Sequence, residues 1–265
     1  MSIYDAIMWR TSVRSYLPAT LTDGQRARLS QMSAAATAPF GGRIAISLIK
    51  AGDGGETRPG TYGVIRGARD FFVIATDGSP EAKLSAGYAF ERIVLEAAAM
   101  ELGTCWLAVT FRGNAFGRAA GVPDGMEVTA VSPVGIPAGK RHLMERITRA
   151  VIRESARRDF NSMFFFGDFN TPVPSGSHFT RALEAVRRAP SSVNSQPWRA
   201  VVARDGLRVH FYFTRPGDCT MLDMGIALCH FAEACSCDGI EGDFITVEDA
   251  PAHPKMTYLR TFIVK

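Results

Sequence analysis

The sequence lacks most of the features that would assign a protein at once. No Cys-x-x-Cys pair occurs among its five cysteines, Cys105, Cys219, Cys229, Cys235 and Cys237. Cys235 and Cys237 stand one residue apart, a poor spacing for a zinc knuckle. The thiols therefore read as reduced and structural, and no metal site is expected. No Gly-x-Gly-x-x-Gly follows a strand-like run, so a dedicated dinucleotide-binding domain is not expected. Glu, Arg or Gly interrupts every apolar run well before the ~18 residues a membrane helix needs. Met1 to Arg10 lacks the charge-then-apolar order of a secretory leader, and a cytoplasmic location is expected. One-signed charge is also scarce. Thirty basic and 26 acidic residues leave a net charge of +4, too mild over 265 residues to imply nucleic acid. It is compatible with an anionic small ligand. No acid–base pair or activated nucleophile stands out. His230 lies in an apolar helical run with no carboxylate placed to partner it, and reads as a packed core histidine.

What is present is a soluble globular balance, 46% hydrophobic and 21% charged, in a chain long enough for one large domain or two closely packed halves. Ser2–Trp9 reads as a short helix capped by Ser2, and a second helix capped by Thr22 or Asp23 runs to about Ala36. Strands are expected over Arg43–Lys50, Phe71–Thr76, Cys105–Phe111 and Glu127–Ile136, with a long buried helix over Pro80–Leu102. Ala51–Gly60 carries four glycines and reads as a lid. Lys140–Arg158 reads as a basic helical surface and Phe160–Pro174 as a connection. The second half is expected to hold helices over Phe179–Arg188 and Leu222–Cys237. Its strands are expected over Trp198–Ala203, Arg208–Phe213, Phe244–Val247 and Tyr258–Val264. Asp205-Gly206 is a hairpin signal between the first two.

Two stretches carry chemistry. In Arg10-Thr11-Ser12-Val13-Arg14, alternate positions hold Arg, Ser and Arg. In an extended segment these share one side, and two guanidiniums would converge on a phosphate; a solvated basic turn would look the same. In Ala189-Pro190-Ser191-Ser192-Val193-Asn194-Ser195-Gln196-Pro197-Trp198, two prolines stiffen a turn that offers hydroxyls and amides but no charge. Such a loop suits an uncharged polar heterocycle, although a plain helix-to-strand turn is the alternative. The two halves also echo one another: helix, proline turn, two strands, long helix, strand. Each keeps one stretch that the other lacks, and a tandem duplication would fold like a two-fold dimer made from one chain.

Together, Arg10-x-Ser12-x-Arg14 and Ala-Pro-Ser-Ser-x-Asn-x-Gln-Pro-Trp resemble the flavin-dependent nitroreductase family. Their separation onto two halves is similar to its fused single-chain branch. Tyr62–Ala68, Val134–Pro137 and Asp223–His230 look like that branch too. The resemblance implies an α+β fold of two tandem halves, residues 1–165 and 166–265. Each half would have a mixed or antiparallel sheet flanked by helices, in a pseudo-two-fold arrangement. It implies one FMN per chain. Arg10, Thr11, Ser12 and Arg14 would hold the phosphate. Pro190, Ser191, Ser192, Asn194 and Gln196 would line the ring and ribityl chain. Arg157 and Arg158 match by placement the family's basic pair at the phosphate, with Asp159 where the family usually has proline. NADH or NADPH is the implied electron donor, a nitroaromatic, quinone-like or other conjugated molecule the acceptor, and the chain a monomer or weak homo-oligomer. An FMN-storing or sensing module, or a flavin-free partner-binding relative, are the rival readings.

Overall fold

The computed structural model describes residues 1–50, 64–108, 113–139 and 156–265. The expected lid over 51–60, and all of the expected basic helix up to residue 155, lie outside these residues.

Helix α1 (Ile3–Trp9) starts at a reciprocal cap. The Ser2 hydroxyl accepts the Asp5 N–H at 3.1 Å, and the Asp5 carboxylate accepts the Ser2 N–H at 3.3 Å. Thr22 and Gln25 cap α2 (Asp23–Ala34) in the same way. Strands β1 (Ile44–Lys50) and β2 (Asp70–Thr76) lead to α3 (Pro80–Ala99), which Ser79 caps with Pro80 in its first turn. Strand β3 (Gly103–Thr104), helix α4 (Gly113–Ala120) and β4 (Glu127–Gly135) follow. Four strands form an antiparallel sheet in the order β1-β2-β4-β3, with β2 buried along its whole length.

The second sheet contains β5 (Phe164–Phe166), β6 (Trp198–Val202), β7 (Arg208–Phe213), β8 (Gly242–Ile245) and β9 (Thr257–Val264). Their order is β5-β6-β7-β9-β8, and only β5–β6 is parallel. Leaving β5 aside, this order repeats that of the first sheet. Helix α5 (Thr180–Arg188) precedes β6, and α6 (Thr220–Cys237) follows β7. The α+β class with helix-flanked sheets is as expected.

Four details differ from the expectation. The supposed connection after Phe160 contains β5, a strand of the second sheet. Helix α4 was not anticipated; it is short and carries glycine at two of its eight positions. Beyond Thr104, the Cys105–Phe111 run shows a single bridge, Leu107 to Val131, and residues 109–111 lie outside the described ones. The strand expected over Phe244–Val247 spans Gly242–Ile245.

Helices α3 and α6 run side by side in parallel, and their contact is reciprocal. A Cβ on Gly87 would lie 2.2 Å from the Leu222 carbonyl oxygen, and one on Gly225 would lie 2.1 Å from the Leu84 carbonyl oxygen. The spacing from Leu84 to Gly87 is that from Leu222 to Gly225, so each half presents the same patch to the other. Further along, Glu91 and His230 meet at 2.9 Å with both side chains fully buried. The His230 Nδ1 lies 2.9 Å from the Ala185 carbonyl, and the Trp106 indole donates to the other Glu91 oxygen at 2.6 Å. The expectation that no carboxylate partners His230 is therefore corrected. Its partner comes from the other half of the chain, too distant in sequence to be read from the local pattern.

The cores are shared across the halves. Ile7 of α1 is buried with Phe164, Trp198, Phe211, Phe231 and Phe262 of the second sheet's cluster. Leu222 of α6 is buried with Phe72, Phe90 and Val94 of the first. All five cysteines are free thiols.

Candidate functional site

The Arg10–Arg14 segment is fixed by its neighbours on both sides. Arg10 ends α1 in an extended conformation, φ −58° and ψ 140°, and its N–H donates to the Ala6 carbonyl. Ser12 then bridges Thr104 in parallel, and the Val13 N–H donates to the Thr104 carbonyl at 2.8 Å. The Arg14 carbonyl accepts the Arg66 N–H at 2.9 Å, and the Tyr16 N–H donates to the Arg66 carbonyl at 2.9 Å. Two glycines allow this close approach. A Cβ on Gly103 would lie 2.8 Å from Val13 side-chain atoms, and one on Gly67 would lie 2.1 Å from the Tyr16 carbonyl oxygen. The segment thus runs alongside Thr104 at one end and Arg66 at the other. Thr11 is exposed, Arg10 and Ser12 are half-buried, and Arg14 is buried. The Arg10 Nε is buried with no hydrogen-bond partner among the described residues.

The second stretch is a strained turn. Val193, Asn194 and Gln196 all have positive φ, at 45°, 55° and 48°. Asn tolerates that region; Val and Gln do so only when the surroundings impose it. Several contacts impose it here. The Ser191 hydroxyl accepts the Gln196 N–H at 2.9 Å. The Asp223 carboxylate of α6 accepts the Ser192 N–H at 2.9 Å and the Ser195 hydroxyl at 3.3 Å. The buried Arg199 donates to the Gln196 carbonyl at 3.2 Å. Burial first, and the nearby Arg158 charge second, lower the Arg199 guanidinium to about 10. Burial raises the Asp223 carboxyl to about 7, outweighing its two hydrogen bonds.

Arg157 and Arg158 join this second stretch. The Arg157 guanidinium donates to the Asn194 side-chain oxygen at 2.8 Å and to the Arg188 carbonyl at 3.2 Å. The Arg158 N–H donates to the Gln196 side-chain oxygen at 2.9 Å. Asn194 and Gln196 both donate to the Ala156 carbonyl, at 2.8 and 3.2 Å. Their amides thus strap residues 156–158 onto the turn. Pro190, Ser191 and Ser192 are half-buried, while Val193 is 72% exposed at the apex.

Helix α1, which ends at Arg10, packs against α3, α5 and α6. Helix α5 leads directly into the Pro190 turn, and α6 holds it through Asp223. Sequence reasoning missed Asp223 and Arg199 as site residues. The available signal was a lone carboxylate in the first turn of an otherwise apolar helix, which also reads as an ordinary complement to the helix dipole. Among the described residues, no three His, Cys, Asp or Glu side chains gather as metal ligands. No helix among them is long and apolar enough to cross a membrane.

Two helix-flanked sheets with this strand order define a nitroreductase-like α+β protein, and a solved structure over the full length bears that out. A "putative nitroreductase" from Thermotoga maritima MSB8 superposes with a TM-score of 0.64 at 18% identity, covering 100% of this chain and 93% of that one. The chain belongs to the family described as "Putative TM nitroreductase", whose model matches residues 2–235. A nitroreductase family protein from Clostridium novyi NT is 20% identical with a TM-score of 0.41, covering 55% of this chain and 91% of that one. A nitroreductase with bound FMN from Bacteroides fragilis NCTC 9343 is 16% identical with a TM-score of 0.42, covering 54% and 92%. No curated protein matches the chain.

Proposed function

We propose that this protein is a flavin oxidoreductase that binds one FMN per chain and uses NADH or NADPH to reduce a small conjugated acceptor, of nitroaromatic or quinone type. Family membership supports the oxidoreductase class. The observation that carries the cofactor is the Arg10 Nε, a buried donor with no acceptor among the described residues. An unmet buried donor is costly, and a phosphate oxygen beside it would supply the acceptor. Arg14, buried four positions further along the same segment, and the Ser12 hydroxyl would complete a phosphate clamp. Thr11 would contribute its backbone. The turn from Pro190 to Gln196 would face the ring, with Arg157 and Arg158 holding it rather than adding to the phosphate end. Bound there, FMN would supply two-electron hydride chemistry between the nicotinamide and the acceptor.

Among the described residues, the first half shows no matching ring site. Phe40 and Gly42 stand where the second half has Ser191 and its neighbours. Phe40 packs edge-on against Tyr88 and Phe244, at ring distances of 5.5 and 5.9 Å. A Cβ on Gly42 would lie 2.5 Å from Ala82, so that turn is closed against α3. This supports a single flavin. We read residues 1–165 and 166–265 as two copies of one unit, with a phosphate end in the first and a ring end in the second. The reciprocal Gly87–Gly225 contact supports that reading, and a chain that is its own two-fold partner would work as a monomer or weak homo-oligomer.

The test is an absorbance spectrum of the purified protein with released cofactor quantified per chain, followed by anaerobic NAD(P)H. We expect one FMN, bleaching near 450 nm (about where oxidised flavin absorbs), and reoxidation by a nitroaromatic or quinone. Binding without bleaching would leave a storage or sensing module; a colourless protein that ignores added FMN would end the flavin reading.

A further inference from the structure

The residue that follows Leu84 in the reciprocal helix contact is Ser85, and the residue that follows Leu222 is Asp223. Both face the proline turn of their own half. The Ser85 hydroxyl accepts the Phe40 N–H at 3.0 Å and donates to the Gly41 carbonyl at 2.9 Å. Asp223 accepts the Ser192 N–H at 2.9 Å and the Ser195 hydroxyl at 3.3 Å. A helix position that merely anchors a turn in the first half therefore carries a buried carboxylate in the second. The two turns differ correspondingly. In the first, glycines occupy the positive-φ positions, Gly41 at 94° and Gly42 at 75°. In the second, three non-glycine residues are held there.

We infer that Asp223 is the positioning residue of the Pro190–Gln196 turn: its two oxygens, one on the Ser192 N–H and one on the Ser195 hydroxyl, impose the left-handed backbone through Val193 and Asn194. A neutral hydroxyl such as that of Ser85 can satisfy one N–H of a glycine turn. Only a two-oxygen acceptor grips both flanks of a turn whose residues resist positive φ. The carboxylate holds the turn at Ser192 and Ser195, so it acts through the loop. Its functional consequence rests on the flavin reading above: the shape it imposes is the one that would present Ser191, Ser192 and the backbone to the ring.

Hydrogen exchange of the protein without added flavin, read at Ser192 and at the β6–β7 amides, tests the positioning directly. Asp223→Leu keeps the branched shape, with larger methyl groups, and removes both acceptors. Exchange at Ser192 should quicken about tenfold or more, the usual consequence of orphaning a buried donor, while β6–β7 protection holds. Asp223→Asn retains an acceptor for the Ser192 N–H and should stay within about threefold of the wild type. FMN titration followed by flavin fluorescence should show the same order, with about a tenfold weaker Kd for Asp223→Leu and rescue by Asp223→Asn. Should Asp223→Leu fail to fold, Ser195→Ala removes only the second contact and should quicken Ser192 exchange about threefold. Unchanged Ser192 exchange in the folded variants overturns the inference. Faster exchange in a protein that binds no FMN in any form upholds the positioning and overturns the flavin reading instead.

Discussion

The buried Asp223 gives a pH dependence whose sign follows from its environment. Its carboxyl titrates near about 7 in the folded protein against an ordinary 3.8, because burial disfavours the charge more than Ser192 and Ser195 favour it. Between those values the folded chain holds a proton that the unfolded chain has released. Stability from this group is therefore full below the ordinary value, falls as pH rises through the window, and is constant above about 7. A displacement of about three pH units corresponds to at most about 4 kcal/mol. A titratable neighbour that feels its charge is Cys219, which precedes α6. Burial raises the Cys219 thiol further, so it does not ionise within the window. Asp223→Asn keeps the geometry and cannot titrate. Urea unfolding of both proteins, followed by circular dichroism from about pH 4.5 to about pH 8, should show the variant's relative stability rising by about 2–4 kcal/mol and levelling off near neutrality. A difference flat within about 0.5 kcal/mol across that range would refute the argument, because the carboxylate would then be charged in both states throughout.

Three other outcomes are expected. Arg10→Ala and Arg14→Ala should each weaken FMN retention by about 1.5–3 kcal/mol, measured by flavin titration, and unchanged affinity in both would remove the phosphate clamp. Gly87→Ala and Gly225→Ala each set a methyl group against a carbonyl of the facing helix, at 2.2 and 2.1 Å. Each should lose about 1–3 kcal/mol in chemical denaturation, despite the gain in helix propensity, and by similar amounts because the contact is reciprocal. His230→Leu leaves the buried Glu91, among the described residues, with the Trp106 indole and should cost about 3–5 kcal/mol, whereas a loss under about 1 kcal/mol would mean the pair is not intact.

The elements marked by strong local signals were legible in the sequence. Ser2 and Thr22 announce helices through capping chemistry that needs only nearby residues. Asp205-Gly206 announces the β6–β7 hairpin, with Gly206 at φ 69°. The segment Phe164–Phe166 gave no such signal, because three residues are too few for alternation and its strand character comes from pairing with β6. The site was half legible. Residue types at Arg10–Arg14 and Pro190–Gln196 stood out, but what holds the turn did not. Asp223, Arg199 and the 156–158 strap reach it from places the local pattern does not connect. Glu91 and His230 were unreadable as a pair for the same reason: two ordinary-looking helices must first be laid side by side.

The burial of α1 among the second sheet's residues has a consequence for synthesis. Helix α1 leaves the ribosome well before Phe231 and Phe262, which share a buried cluster with Ile7. Until then its apolar face can meet α3 but not the two second-half helices it also packs against, and the arginine that terminates it is held on one side alone. Settling of α1 must therefore wait for the second half of the fold, so a chain stopped before it would expose a sticky apolar face.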